Sequence, residues 1–420
     1  MALTSHAARA IGSGAFLRSL AIAWALAACA PAMAGLGFDE TLRLAREQAP
    51  ALMAQQDALA GAQALQPAAA TLPDPRLIVG LDNLPVTGVD KFSTSADFMT
   101  MQRIGLMQEV PNGAKRDARS ALAQARVERE RAMLTAAELT VRRDAALAWL
   151  AVYYAERRAA RLADLERENK LLIDTLDARI ASGKAMPAER TMARLEALML
   201  ADRHDDALRD IERARAALRR WVGVRAGDAL EGEAPALRVV GEQARADVHR
   251  HAEIAPYAAM LAMAQAEVRE ADAEQRGDWG WELVYSRRPQ YSDMVSFQLV
   301  FDLPWARDRR QQPMLAAKLK DAARVESERA ELMRRHAEEL DAQLAELKAL
   351  DAQHARLERH GIALNSERVA LALASYEAGR GDLGAVLVAR REAVETRLRL
   401  IDLDAQRMAL RVRLDTLIAE

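Results

Sequence analysis

From Asn112 to Ser182 the chain carries no proline and a single glycine, Gly113. Within that stretch Leu162, Leu165, Leu172, Leu176 and Ile180 recur at spacings of three, four and seven, the period of a coiled-coil seam. At 1.5 Å per residue, about 70 residues make a helix about 100 Å long. Such a rod is several times longer than a compact domain is wide, so it has to lie along other long helices. The composition agrees. Of 420 residues, 51% are hydrophobic and 29% charged, yet only 4% are aromatic, a profile expected of long helices.

A second pattern has a different period. Trp279, Trp281, Leu283 and Tyr285 occupy alternate positions, as do Val295, Phe297, Leu299, Phe301 and Leu303. A period of two puts each set on one face of a strand. Arg288-Pro289-Gln290 supplies the turn between them, and Pro304 closes the second strand. This ribbon has nothing in its own sequence against which to bury those side chains. A second sheet, lipid, or folding back onto the helices as a small soluble hairpin would each cover them.

The same order of elements occurs twice. Residues 35–222 form a first repeat: a helix from Phe38 to about Ala70, strands over 76–84 and 97–110, the long helix over 112–182, and a helix to about Trp221. Residues 223–243, with several glycines and Pro235, read as a linker. Residues 244–420 form a second repeat: a helix to about Gln275, strands over 279–287 and 291–303, a long helix over 309–378, and a last helix to Leu417. Leu350, Leu357, Leu364 and Leu371 recur every seven residues in that long helix. Val394, Leu398, Ile401, Ala405, Met408 and Val412 alternate spacings of four and three in the last one. Pro111 and Pro304 stand 193 residues apart, and Gly183 and Gly379 stand 196 apart. Pro50 and Pro256 stand 206 apart, so the first hairpin loop is the longer one.

Residues 1–34 read as a secretory signal peptide, with Arg9, Arg18, an apolar run from Leu20 to Ala28, and Ala32-Met33-Ala34 as the cleavage site. Leu26-Ala27-Ala28-Cys29 also has the form of a bacterial lipobox, which makes Cys29 a lipidation candidate. The alternative leaves Cys29 as a small apolar residue inside an ordinary signal. It is the one cysteine, so neither an internal disulfide nor a thiolate metal site can form. Beyond residue 34 no stretch approaches the ~18 unbroken apolar residues of a spanning helix. Membrane contact would have to use strands or lipid.

Four strands of about nine residues, apolar on one face, match tilted strands that cross an outer membrane. Four alone leave two bare edges, which lipid does not tolerate, so closure needs several copies; three would supply about twelve strands. At the strand ends stand Leu72-Pro73-Asp74-Pro75-Arg76-Leu77, Glu109-Val110-Pro111-Asn112-Gly113-Ala114-Lys115-Arg116 and Leu303-Pro304-Trp305. In these stretches and in its duplicated plan the chain resembles the TolC-type outer-membrane efflux channel family, and within it the subgroup serving cobalt–zinc–cadmium and copper–silver export. The resemblance covers essentially all of the sequence after the signal.

That resemblance implies a mainly α fold with a small β part. It implies a homotrimer whose twelve-stranded outer-membrane β-barrel continues into a periplasmic α-helical barrel. A periplasmic adaptor (membrane fusion protein) and an inner-membrane RND-type pump are the implied partners, and heavy-metal cations the implied cargo of a passive conduit. Drug or other organic efflux and type I protein secretion are the alternatives within the family. Outside it, the rival is a periplasmic structural or adaptor coiled-coil protein. By resemblance the helix tips dock the adaptor: Gly183, Lys184, Met186, Pro187 and Glu189 in the first repeat, and Gly379, Arg380, Gly381, Asp382 and Leu383 in the second. Ala385 stands where Glu189 stands in the first copy, so that half departs from the pattern. Outer-membrane lipid would cover Trp279, Trp281, Leu283, Tyr285, Val295, Phe297, Leu299 and Phe301.

Lys+Arg 59 against Asp+Glu 61 leaves no net field to recruit nucleic acid. His249-Arg250-His251 with Asp247 and Glu253 is a His/carboxylate cluster, but residues two apart on a helix face different ways. His336, His354 and His360 lie at scattered angles on the long helix and read as solvated, as do Glu367 and Glu377 near its end. No Ser-His-Asp, paired-carboxylate or phosphate-loop constellation is present, so the chain reads as no enzyme, with no cofactor and no resident metal.

Overall fold

The structure is a computed structural model that describes residues 35–237, 245 and 251–417. The signal-peptide segment with Cys29, the end of the linker and most of the His249 cluster lie outside the described residues.

The first helical stretch is two helices. Proline lacks an amide hydrogen and pushes the preceding residue out of helical conformation. Accordingly α1 (Phe38–Gln48) stops at Ala49, which is extended at φ −70° and ψ 113°, and α2 (Pro50–Ala69) starts on the proline itself. Strands β1 (Arg76–Asp82) and β2 (Met101–Val110) follow. β2 begins four residues later than its apolar pattern suggests. The Asp97 carboxylate accepts from the Met99 amide at 2.7 Å, a side-chain turn that competes with strand pairing.

Helix α3 (Gly113–Ala181) runs for 69 residues, and α4 (Pro187–Val222) returns alongside it. The segment after α4 is a folded part of the core where a linker was expected. A short 3-10 turn (Gly223–Gly227) brings Ala226 inside, and the Leu36 amide donates to the Ala229 carbonyl at 2.8 Å. The Trp149 indole N–H donates to the Leu36 carbonyl at 3.0 Å, so a side chain of the long helix clamps the start of the described chain.

The second repeat comprises α5 (Ala255–Ala273), β3 (Trp279–Arg287), β4 (Met294–Phe301), α6 (Gln311–Arg356), a π turn (Leu357–Gly361), α7 (Ile362–Glu377) and α8 (Leu383–Asp415). Pro256 lies in the first turn of α5, where a missing amide costs nothing, and the helix starts beside it. The four strands form one antiparallel sheet in the order β1-β2-β3-β4.

The apolar core is distributed along the helices. Leu340, Leu347 and Leu350 of α6 meet Leu403, Leu410 and Leu414 of α8 in one row. Leu162, Ala207, Val394 and Leu398 form another, and Trp149 with Tyr153, Leu218 and Val222 a third.

The heptad seam of the second long helix does not run straight through. Leu364 and Leu371, expected inside, are 63% and 65% exposed. Asn365 and Ala372, each one residue later than the seven-residue repeat would place them, turn inward together with Val369 and Tyr376. A π turn accommodates one extra residue per turn, so the turn at Leu357–Gly361 rotates the seam by that one residue. The Asn365 amide marks the change by donating to the Gly361 carbonyl at 3.0 Å and to Thr396 Oγ1 at 2.8 Å.

Trp149→Phe keeps an aromatic ring but removes the only indole N–H at this point, leaving a small void and a weakened Leu36 carbonyl. We expect a loss of about 1–3 kcal/mol. Denaturant titration should show it together with faster proteolysis near residue 36.

Candidate functional site

Three places combine exposure with specific chemistry: the sheet, its junction with the helices, and the helix tips. Cross-strand pairing sets the first. Trp279, Trp281, Leu283 and Tyr285 lie opposite Phe301, Leu299, Phe297 and Val295. Tyr285, Leu283, Trp281 and Trp279 lie opposite Ile104, Leu106, Gln108 and Val110 on the other side. Ile104 and Leu106 in turn oppose Val79 and Leu77. Opposite residues share a face, so one apolar surface runs across all four strands. It is open: Val79 is 73% exposed and Phe297 63%. Gln108, the polar residue at its base, turns away to donate to the Pro73 carbonyl at 2.7 Å.

The reverse face carries charge. Arg103 sits between Asp82 at 2.8 Å and Glu282 at 2.9 Å, bridging β1, β2 and β3. Met101 and Met107, which share this side of β2, stand beside it rather than among the lipid-type residues. β1 and β4 each pair on one side, so both sheet edges present free backbone groups among the described residues.

At the junction Asn112 joins the two repeats. Its side-chain oxygen accepts from the Lys115 amide at 2.9 Å and caps α3. Its side-chain NH2 donates to the Ala273 and Arg276 carbonyls at 3.1 and 3.0 Å, and to Asp278 Oδ1 at 3.0 Å. Lys115 Nζ approaches Asp278 at 3.1 Å and Glu274 at 3.6 Å. Burial would raise the Asp278 carboxyl, but the Asn112 amide and the Lys115 ammonium outweigh it and hold the group below its ordinary value. Gly277 is needed for this approach, because a Cβ there would lie 1.8 Å from the Asp302 carbonyl oxygen.

The helix tips repeat one device. Gly183 and Gly379 take φ +71° and +69°, ending α3 and α7 in the left-handed region that glycine enters freely. Pro187 starts α4, and the Asp382 carboxylate caps α8 by accepting from the Ala385 amide at 2.7 Å. Gly183, Lys184, Met186, Pro187, Gly379, Arg380, Gly381 and Asp382 are exposed, and Glu189 half-buried. Leu383 differs from the expectation of a docking residue: it is buried with Leu176, Val386 and Tyr376. Tyr376 was not singled out by the sequence pattern, yet it ties the two hairpins together. Its hydroxyl donates to Glu189 at 2.5 Å, and the Arg179 guanidinium lies 4.5 Å from its ring centre. Burial, then the Glu189 carboxylate, pushes the Tyr376 hydroxyl up to about 12.

Of the three histidines expected to be solvated, His360 is exposed but the other two are not. His336 and His354 are buried, with Nε2 atoms 3.0 Å from Glu253 and 2.9 Å from Asp404. Among the described residues no group of three or more His, Cys, Asp or Glu is placed to hold a metal.

No family model and no curated protein matches the sequence. Solved structures do. CusC, described in terms of transmembrane channel formation, superposes with a TM-score of 0.77 at 15% identity over 91% of this chain and 92% of its own. The outer membrane protein VceC of Vibrio cholerae gives 0.74 at 18% identity over 90% of this chain and 95% of its own. The outer membrane channel CmeC of Campylobacter jejuni gives 0.75 at 11% identity over 90% and 84%. The fold is that of the TolC-type outer-membrane efflux channels. In this TolC-type fold the sheet stands at one end of the long helices and the Gly183 and Gly379 turns at the other.

Leu299→Lys puts a charge in the middle of the apolar sheet face and should cost about 2–4 kcal/mol near a bilayer midplane. Ser296→Lys, on the reverse face, should be tolerated. Equal recovery of both variants from extracted outer membranes would contradict this facing.

Asp278 gives a pH dependence of known sign. Its lowered carboxyl contributes stability above the ordinary carboxyl range, and the contribution disappears as pH falls through the lowered value. Asp278→Asn should therefore melt below the wild type at pH 7, and the gap should close below about pH 4. A gap that persists unchanged into acid would mean that Asp278 acts through shape alone.

Proposed function

We propose that this chain is the outer-membrane channel subunit of a tripartite efflux system, a passive conduit for heavy-metal cations. One observation carries the reading: a sheet apolar on one face, with both edges open, at the end of helices about 100 Å long. In lipid such a sheet is stable once further copies satisfy its edges, and three copies bring about twelve strands. Lipid then covers the face bearing Trp281, Leu299 and Phe297, while Arg103, Asp82 and Glu282 face a watery lumen. The helices extend that lumen through the periplasm as an α-helical barrel. Lys184, Met186 and Arg380, exposed at the far tips, meet a periplasmic adaptor and through it an inner-membrane RND-type pump.

Metal as cargo is supported by the likeness of the Leu72–Leu77 and Glu109–Arg116 stretches to the metal-export subgroup. Passive transit is supported by the histidines. His204, His336 and His354 each rest against a carboxylate, of Glu166, Glu253 and Asp404 respectively. A tight site needs several converging ligands, and a conduit that bound its cargo tightly would release it slowly. Acidic groups along the lumen raise the local cation concentration, an effect that salt screens.

Deleting the gene should sensitise its host to zinc, cobalt, cadmium, copper or silver more than to dyes and detergents. The purified oligomer should show no high-affinity uptake of these cations in calorimetry. Sensitisation to organic compounds alone would overturn the cargo, and a sub-micromolar metal site would overturn passive transit.

A further inference from the structure

The two repeats can be aligned strand by strand, and the alignment specifies a contact that a single chain does not contain. Met101 and Pro111 of the first repeat stand 193 residues before Met294 and Pro304 of the second, so β4 is the counterpart of β2. Asp74 stands 204 residues before Asp278. The β1–β2 register, with Arg76 opposite Met107, and the β3–β4 register, with Gly280 opposite Val300, agree with those same two offsets. Leu77, Val79 and Leu81 are thus the counterparts of Trp281, Leu283 and Tyr285, and both strands expose them on the same face. The repeat is therefore geometric as well as sequential.

Within one chain the second strand of the first repeat pairs with the first strand of the second, β2 with β3. The equivalent pairing of β4 with β1 cannot form inside the chain, because these strands are the opposite edges of its sheet. We propose that β4 of one copy pairs with β1 of the next in the register that the β2–β3 seam dictates, with Phe301 opposite Leu77, Leu299 opposite Val79 and Phe297 opposite Leu81. This deepens, and rests on, the reading that several copies close one barrel. Because the two edges differ, the contact is head-to-tail and closes into a ring.

Three features of the side chains fit that register, and none was used to derive it. Every apolar residue named falls on the face already apolar in the single sheet; a one-residue slip would turn them all to the charged face. Arg76 falls directly opposite Asp302, an opposite-charge pair at the membrane-proximal end of the seam. Gly80 falls opposite Gln298, as Gly105 falls opposite Val284 inside the chain. There the space above the glycine is taken by its partner, since a Cβ on Gly105 would lie 2.8 Å from Val284 Cγ2. Gly80 has nothing within 4 Å, so its matching space stands open in the single chain. A two-residue slip would keep the facing but lose the charge pair, placing Arg76 opposite Val300 or Pro304.

The same equivalence accounts for Trp305, which is 88% exposed although it directly follows Pro304. It occupies the position of Asn112, whose side chain donates to Asp278. The counterpart of Asp278 is Asp74. Trp305 has an indole N–H to offer, and the neighbouring copy's Asp74 is the carboxylate that the symmetry places before it.

The test begins with the wild type, whose mass in detergent reads association independently of register. A monomer would overturn the closed barrel itself and the seam with it. In a background with Cys29→Ser, Gly80→Cys with Gln298→Cys should oxidise to covalent ladders up to the full ring. Directly opposite residues lie about 4.5–5.5 Å apart at Cα, within disulfide reach. Gly80→Cys with Ser296→Cys, displaced by two residues or about 7 Å along the strand, should give little product. An intact oligomer that cross-links through the displaced pair instead would overturn this register while leaving the channel reading standing. Charge exchange supplies a second reading free of cysteines. Arg76→Asp should lower the yield of heat-resistant oligomer several-fold, and adding Asp302→Arg should restore it. Failure of the second change to rescue would place the two residues apart and overturn the register.

Discussion

The pairing of β2 with β3 is the contact on which the rest of this structure depends. It is where the strands of the two repeats meet, and it converts two hairpins into one sheet with a continuous apolar face. An isolated hairpin is marginal in water, and four strands with one apolar face still require a partner surface. The junction beneath this pairing fixes it laterally. Asn112, from the end of β2, fills the donors and acceptors left by the end of α5 and the start of β3, so the strand register and the start of the long helix are set by the same side chain.

The helical part obeys a different economy. A rod of 69 residues cannot be covered by a globular core, and the buried residues form rows between neighbouring helices. The π turn at Leu357–Gly361 shifts one such row: it rotates the inward face so that Asn365 and Ala372 replace the leucines of the heptad. Leu364 and Leu371 are left outward, alongside exposed Leu171, Leu195 and Leu198 on the other hairpin. Outward leucines in rows along a helix are costly for a lone chain in water, and in the proposed cylinder adjoining copies cover them.

Polar contacts set the geometry at the tips and along the shaft. Tyr376 with Glu189, Arg391 with Glu196, and Arg407 with Asp351 each join separate helices. Half-exposed pairs of this kind add little stability. Their contribution is to favour one sliding position of long helices whose apolar rows would otherwise accept several.

The order of strands and long helices, and the type of each, could be read from the chain alone. Period two at Trp279–Tyr285 and Val295–Phe301, seven-residue spacing in the helices, and prolines at the breaks are local signals, and local backbone chemistry answers to them. The duplicated plan was legible for the same reason, as were the glycines at the tips. Strand limits at Met101 and Met294 were not, because Asp97 and Asp293 accept backbone hydrogen bonds that end pairing early. Tertiary structure alone decided which residues lie opposite one another across strands. It decided too that Asn112 reaches Asp278 across 166 positions of sequence, and that Leu383 turns inward at its tip. The heptad of leucines predicted a straight seam, and the π turn overruled it. A one-residue rotation leaves no mark in a repeat of leucines; it arises from how α6 and α7 must pack against α8. Such facts belong to partners distant in the chain, and no period in the sequence encodes the partner.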